Sequence, residues 1–366
     1  MIKLFFYFIY ILNLLISLSG CYSGDQTLIP QDPFLAEEVK TGYNIRIEPK
    51  VDILFIIDDS GSMSEEQTAL AQNIDLFTAS MDKNKFLDYQ VGVISSSIGP
   101  TYSTRSGRLL GNPNIISRTT PNGISILPQT ISSVGTSGDA NEKFFDPVMA
   151  AVDPNLGLNP GFVRSDAFLV LIVIADAHDQ SVMNSGFKVH DALVSLKADD
   201  TEKVLGYGVL SYPSFFGDTC GQDESVNNPI NIFNFMGLFT NSQNSMIGGG
   251  ASLVTGQNTV PTHFYELTNV FSLCDSEFGQ KLANIGEDIR IRVSQKISLP
   301  VRPIDGTIRL MYGPQEIAEK WWKYDFGNNS IILDPNVELD ESLTDAGLFV
   351  VMDQADPTKT VGKPID

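Results

Sequence analysis

The chain has 366 residues, 42% hydrophobic and 19% charged, which is enough for a sizeable core and for more than one domain. Its 44 acids against 24 bases give a formal net charge of −20. Nucleic acid is thereby excluded as an expected partner, because such binding needs Lys/Arg stripes to neutralise phosphates, and cations are drawn to the surface instead.

The N-terminus reads MIKLFFYFIYILNLLISLSGC, in which Lys3 supplies a positive start and Leu4–Leu18 is an apolar run of fifteen residues broken by Asn13. That length is short for a bilayer span and suits a signal-peptide core. Leu18-Ser19-Gly20-Cys21 resembles the bacterial lipobox, whose cysteine is diacylated and becomes the first residue of the mature protein. The other reading is an ordinary signal peptide with an incidental cysteine. The lipobox implies an exported protein held by lipid on Cys21 in a bacterial envelope, the outer membrane favoured over the inner, with no spanning helix. Cys220 and Cys274 then remain as one pair in an oxidising compartment. A disulfide between them is expected, two free buried thiols being the alternative. Next comes a mixed, polar tether with Pro30 and Pro33, in which Ile45-Arg46-Ile47 alternates like a short edge strand.

Ile53–Ile57 is an unbroken apolar run, as expected of a strand buried on both faces of a parallel sheet. It ends in Asp58, Asp59, Ser60, Gly61 and Ser62, and Ser64 with Gln67 has the spacing of a capping box opening a helix. Open α/β sheets place their ligands at this end of a central strand. Asp58, Ser60 and Ser62 make a compact hard-oxygen set suited to Mg²⁺, which takes one or two carboxylates and keeps water or ligand elsewhere. The plain alternative is a polar turn whose serines cap the helix.

From Val51 onward strand and helix patterns alternate, which predicts a doubly wound, mostly parallel sheet. Leu70, Ile74, Phe77 and Met81 share one helical face, and Tyr89–Ile94 reads as a strand. Ser95–Gly138, rich in Ser, Thr, Gly and Pro, is expected to be a long loop with an edge hairpin near Arg108–Leu110. Asp139–Val152 reads as a helix with Phe144, Phe145, Val148 and Val152 inward, and Pro147 as a kink or restart within it. Phe168–Ala175 is a second buried strand, ending in Asp176, His178 and Asp179. Beyond it the pattern predicts a helix over Phe187–Ala198 and a strand over Val204–Leu210. Tyr212–Pro261 is a long insertion, His263–Leu267 the last sheet strand, and Cys274–Ile289 a helix with Phe278, Leu282 and Ile285 at core spacing. His190 and His263 fall inside element patterns and read as structural. Ile291–Leu299, Thr307–Met311, Trp322–Asp325, Ser330–Leu333 and Leu348–Met352 read as short strands, with Phe326-Gly327-Asn328-Asn329 closing a hairpin. The expected division is a signal peptide over 1–20, a tether over 21–48, an α/β domain over 49–290 and a small antiparallel β module over 291–366.

Asp58-x-Ser60-x-Ser62 after a buried strand resembles the first motif of von Willebrand factor type A (VWA) domains, a resemblance that covers roughly residues 49–290. It implies a Rossmann-like α/β fold and a metal-ion-dependent adhesion site (MIDAS) that binds protein ligands. Two further loops would complete that site. Thr136, or Ser137 in its place, matches the second motif, and Asp176 matches the third. The string GFVRSDAFLVLIVIADAHDQS also resembles exported bacterial type A proteins with several acids at this turn. Asp59 and Asp179 are expected either around the ligands or in place of one, Asp179 alternatively on a second cation, and His178 is either a ligand or a solvent-facing loop histidine. The implied cation is Mg²⁺, with Ca²⁺ or Mn²⁺ as substitutes. Because Ser60, Ser62 and Thr136 are neutral, such an ion keeps positive charge and seeks an Asp or Glu carboxylate from a protein partner.

Enzymes are the rival class. Asp59-Ser60-Gly61 also resembles the active-site triplet of aspartic peptidases, which pair two carboxylates around one proton. The sequence holds one copy, so that envelope hydrolase would have to be a homodimer. With Gly135-Thr136-Ser137 the same triplet imitates a subtilisin-type peptidase, but without the histidine stretch expected between them. A metallohydrolase would want more carboxylate or His ligands. The expectation is therefore a binding module, not an enzyme. Ser95–Gly138 and Tyr212–Pro261 far exceed the roughly two to six residues of ordinary α/β connections, and are expected to select the partner. Shortening Asn227–Thr259 is expected to change which partner is captured while leaving Mg²⁺ affinity intact.

Overall fold

The computed structural model describes residues 39–83, 86–211, 229–239, 267–275, 277–304, 306–334, 336–340, 342–343 and 346–354. The leader, Cys21, Cys220, His263 and most of the Tyr212–Pro261 insertion lie outside the described residues, and so do the lipobox and the Cys220–Cys274 pairing. Among the described residues no helix is long and apolar enough to cross a membrane.

The chain divides into two compact units. The larger takes Ile45–Leu299 with Leu310–Val350. After β1 (Val39–Ile47), it builds a six-stranded sheet from β2 (Lys50–Ile57), β3 (Asp88–Ser95), β4 (Ile116–Ser117), β5 (Phe168–Ala175), β6 (Val204–Leu210) and β7 (Val270–Ser272). Their order is β4-β3-β2-β5-β6-β7, and every pairing is parallel except that of β3 with β4. Ile53 stands level with Val91 on one side and Val170 on the other. The helices are α1 (Ser64–Asp82), α2 (Gly123–Ser132), α3 (Phe145–Val152), α4 (Gly186–Ser195), α5 (Ile230–Met236) and α6 (Phe278–Gln295).

The continuous apolar run of β2 is explained by its two covered faces. Ile53, Phe55 and Ile57 pack with Leu70, Ile74 and Phe77 of α1 and with Leu282, Ile285 and Ile289 of α6. Leu54 and Ile56 turn the other way, into a cluster with Phe144, Phe145, Val148, Val189 and Leu193. The fold is thus α/β, a mostly parallel sheet between helices, with antiparallel strands gathered near the C-terminus.

Several boundaries differ from the sequence expectations for identifiable reasons. Ser95–Gly138 contains α2, whose Leu127 and Ile131 are buried although Pro128 lies inside it. The edge pairing is made by Ile116–Ser117, not Arg108–Leu110, though Leu110 N still donates to Val93 O at 2.8 Å. Pro147 produces no kink, because α3 begins only at Phe145 and a proline in the first turn takes no needed N–H from the helix. The sheet ends on Val270–Ser272, just beyond the His263–Leu267 run. Ile291–Gln295 continues α6, since Val293 extends the spacing of Leu282, Ile285 and Ile289 on the buried face. The insertion holds α5, with Ile232, Phe233, Phe235 and Met236 buried. This helix is therefore part of the core.

Beyond α6, β8 (Lys296–Ser298), β11 (Trp322–Asp325) and β12 (Ser330–Leu333) form an antiparallel sheet of order β11-β12-β8, its hairpin closed over Phe326–Asn329. A four-stranded sheet has the order β1-β13-β9-β10, with β9 (Arg309–Tyr312), β10 (Gln315–Ile317) and β13 (Leu348–Gln354). The second compact unit takes Met1–Asn44, Pro300–Arg309 and Val351–Asp366. Within it Ile304 N donates to Asp353 O at 2.8 Å, and Asp353 N to Thr307 Oγ1 at 3.1 Å.

At the amino end of the six-stranded sheet, the buried Asp52 accepts from Arg164 N and Nε, each at 2.7 Å, and Arg164 also holds Asp88. The fully buried Lys197 ammonium donates to Arg164 O at 2.5 Å. These ties fix the connection into β5, whose far end carries Asp176.

Candidate functional site

The end of β2 delivers Asp58 into a fixed position. Its N–H donates to Ile174 O at 3.0 Å, and Ser96 N donates to Ile57 O at 3.1 Å, so the turn is laced to both neighbouring strands. Ser60 N then donates to Asp58 Oδ1 at 2.9 Å, and the Ser60 and Ser62 hydroxyls stand 2.9 Å apart. A single 3₁₀ turn, Gly61–Met63, leads into α1. The capping-box expectation fails here: Met63 occupies the cap and makes no side-chain cap bond. Gln67 instead donates from Nε2 to Asp58 O at 2.7 Å and to Gly135 O at 2.8 Å. It joins the first loop to the second.

Other bonds complete that junction. Gly138 N donates to Asp59 O at 2.7 Å, Arg105 donates to Val134 O at 2.9 Å, and Asp139 N donates to Ser97 Oγ at 2.8 Å. A Cβ on Gly61 would lie 3.9 Å from Thr136 O, which puts the Thr136 segment beside the serine turn. Thr136 is half-buried and Ser137 exposed. Gly138 has to be glycine because a methyl group there would collide with the Asp59 carboxylate.

Asp176 follows β5 directly. Its carbonyl accepts from Ser211 Oγ at 2.9 Å, which ties it to the end of β6. Both of its carboxylate oxygens are buried without a hydrogen-bond partner, as is Oδ2 of Asp58. Burial pushes the Asp58 carboxyl well above the usual carboxylate range, and the Asp176 charge pushes it further.

Two acids not anticipated from the sequence join this group. Glu142 is buried and accepts from Gln180 Nε2 at 2.9 Å. Its carboxyl is raised by burial and then by Asp176, and its charge in turn raises Asp58. Glu66, in the first turn of α1, has a buried Oε2 without a partner and is raised by burial and by Asp176. Glu66 had a readable signal, since it follows Ser62 by four residues at the start of a helix. Glu142 had none: it sits in irregular chain whose position is set by Asp179.

The remaining expected residues stand differently. Both Asp59 oxygens are engaged, Oδ1 by the Ser96 and Ser97 hydroxyls at 2.9 and 2.8 Å and Oδ2 by Arg105 at 2.9 Å. Asp179 accepts from the N–H groups of Phe144 and Phe145 at 2.7 and 3.0 Å and from Ser181 Oγ at 2.6 Å, and so holds the start of α3. Both do structural work. His178 is half-buried and lies within electrostatic reach of Glu142, and the His190 ring packs edge-on against Phe239.

Among the described residues, no group of three or more His, Cys, Asp or Glu side chains is arranged to hold a metal. The donor set at this end of the sheet is different in kind: two buried carboxylates, Asp58 and Asp176, with the hydroxyls of Ser60 and Ser62 and the Thr136 loop beside them. Orphaned carboxylate oxygens in a buried, polar-lined position are the chemistry a hard cation neutralises.

No family model and no curated protein matches this sequence. Among solved structures, proximal thread matrix protein 1 from the mussel byssus is similar at 12% identity, with 68% of this chain and 47% of that one covered and a TM-score of 0.34. One structure of that mussel protein, at 10% identity and TM-score 0.36, covering 70% of this chain and 51% of that one, is described as having a zinc-occupied MIDAS motif. The pilus adhesin SpaC from Lactobacillus rhamnosus GG is similar at 11% identity over 87% of this chain and 41% of its own, with a TM-score of 0.39. The chain thus spans about half or less of the length of these structures.

Proposed function

We propose that the chain is a lipid-anchored envelope binding module of the VWA type, which captures a carboxylate of a protein partner through a divalent cation. The observation that carries this reading is the set of three buried, unpartnered oxygens on Asp58 and Asp176. Carboxylate oxygens left without a donor are costly to bury. Burial and the Asp176 charge raise the Asp58 carboxyl, and the neighbouring hydroxyls suit a hard ion.

Asp58 and Asp176 would hold the cation, with Ser60, Ser62 and Thr136 supplying neutral oxygens. Mg²⁺ is the first choice and Ca²⁺ or Mn²⁺ the substitutes. When bound, the ion supplies a positive centre that accepts one more anionic oxygen. Gln67 and Gly138 hold the two loops together. Arg105 and two serines already engage the Asp59 oxygens, which favours Asp58 and Asp176 over Asp59 as ligands and argues against Asp59 as half of a peptidase dyad.

Calorimetry with Mg²⁺, Ca²⁺ and Mn²⁺ tests the reading, together with melting curves. Saturation at one hundred times Kd should stabilise the protein by about 2.7 kcal/mol. Asp58→Ala should remove both the heat and the shift. A melting temperature indifferent to millimolar amounts of all three ions would end the metal reading, and turnover of peptides or phosphoesters would move the chain to the rival class.

A further inference from the structure

Five large hydrophobic side chains stand exposed among the described residues, and three of them, Val182, Met183 and Phe187, fall within six consecutive positions, at 85%, 70% and 51% exposure. Scattered exposed apolar side chains are ordinary; a cluster on one short segment calls for a reason. This segment is not loose chain. Asp146 accepts from Val182 N and Asn184 Nδ2 at 3.1 and 2.8 Å, Ser181 is held by Asp179, and Ser185 Oγ accepts from Lys188 N at 3.4 Å. Buried carboxylates therefore fix the backbone while the apolar side chains point outward.

The ridge also carries a placed cation. Lys188 Nζ donates to Met183 O at 3.2 Å, which parks an exposed ammonium beside the apolar side chains in a protein of net charge −20. An ammonium has three donors, so two remain for another acceptor. Val182 lies six positions beyond Asp176, a reach of at most about 20 Å. A standard protein interface of about 800 Å² per partner is wide enough to cover both.

We propose that Val182, Met183, Phe187 and Lys188 form a specificity ridge beside the metal site, fitted to a protein segment in which apolar residues flank one carboxylate and a second carboxylate follows. This rests on the binding reading above: the first carboxylate completes the cation, the apolar neighbours cover the ridge, and the second carboxylate meets Lys188. The chemistry answers a problem that a cation leaves open, since one metal–carboxylate bond cannot distinguish one acidic protein from another.

The probe is a displayed peptide library with one fixed Asp and randomised flanks, selected on the Mg²⁺-loaded full chain. The wild type should enrich apolar residues next to the fixed Asp and an acid further along. The best peptide should then bind the Val182→Ser/Met183→Ser/Phe187→Ser variant at least tenfold more weakly, with Mg²⁺ affinity and melting temperature unchanged. Lys188→Ala should remove the preference for the second acid alone. Selection of the same peptides at equal affinity by the triple variant overturns the ridge, as does a wild-type pool without enrichment. A fall in melting temperature would mean that the side chains pack within the chain, and a wild-type dimer made monomeric by the variant would assign them to a second copy; either result also overturns it. Chelation separates the two readings: if it leaves binding of the selected peptide intact while the triple variant loses it, the metal reading fails and the ridge remains an apolar site only.

Discussion

Asp58 and Asp59 end the same strand and meet opposite surroundings. Asp59 is saturated by Arg105, Ser96 and Ser97, whereas Asp58 keeps one buried oxygen unpartnered beside Asp176. The difference has a pH signature. Asp58 is raised by burial and by Asp176, and Glu66 and Glu142 move the same way. For a carboxyl raised on folding, the native state keeps a proton that the unfolded chain has already released above about pH 4. Native metal-free protein therefore binds more protons than unfolded protein in that window, and its stability falls as pH rises through the raised values. Urea unfolding with chelator across pH 4 to 7 should show this decline, with a shallower slope for Asp58→Asn and no further stabilisation of that variant by Mg²⁺. Identical slopes for the two proteins would show that Asp58 is not the strained group. Asp139 and Asp166 are lowered and act in the other direction, losing their contribution as pH drops below the ordinary carboxylate range. Gly138 makes a second test at this scale. An Ala there forces its methyl into Asp59, at a cost on the order of 1–3 kcal/mol; a Gly138→Ala protein as stable as the wild type would mean that the two loops are not in close register.

Among the elements, the strands of the sheet were the most legible. β5 and β6 occupy Phe168–Ala175 and Val204–Leu210 as read from their apolar runs, because strands covered on both faces carry no competing pattern. Asp58, Ser60 and Asp176 were readable for a related reason: each is a polar residue placed abruptly at the end of such a run. What stayed hidden depended on tertiary contacts. α2 is short, contains Pro128 and lies in a Ser/Thr-rich stretch, so its three-dimensional role rests on Leu127 and Ile131 meeting the face of α1. Gln67 looked like a helix cap and is a loop staple. α5 changes the experiment on the insertion. Asn231 of α5 accepts from Asp179 N at 2.9 Å and donates to Asp179 O at 2.6 Å, and Asn269 ties Met236 O to Gly206 O. Removing Asn227–Thr259 would strip this helix from the core and loosen Asp179. Replacing only residues 240–259 by a short Gly/Ser linker should leave Mg²⁺ affinity and melting temperature as they were, whereas the longer deletion should lower both. Equal behaviour of the two deletions would show that α5 does not support the site.

For the whole molecule, the distribution of charge and cysteine bears on where such a site would work. A net charge of −20 gives the chain no overall electrostatic attraction to anionic lipid, and the membrane attachment proposed above is through the leader. The apolar run Leu4–Leu18 is short for a span and is followed three positions later by Cys21, which makes lipid on that cysteine the proposed anchor. Export carries a second consequence, because Cys220 and Cys274, 54 positions apart, would be oxidised in the envelope. A bridge closing a loop of that size contributes about 4 kcal/mol by chain entropy. The two consequences can be read from one preparation. Wild-type protein should partition into detergent and yield a Cys220–Cys274 peptide under non-reducing mass spectrometry, while Cys21→Ser should lose lipid labelling and detergent partitioning but keep the bridge. If the Cys21→Ser protein still partitions into detergent, the lipid anchor is wrong; if both thiols of freshly isolated wild type are recovered free, the oxidising compartment is wrong as well, and an exported capture site loses its physical setting.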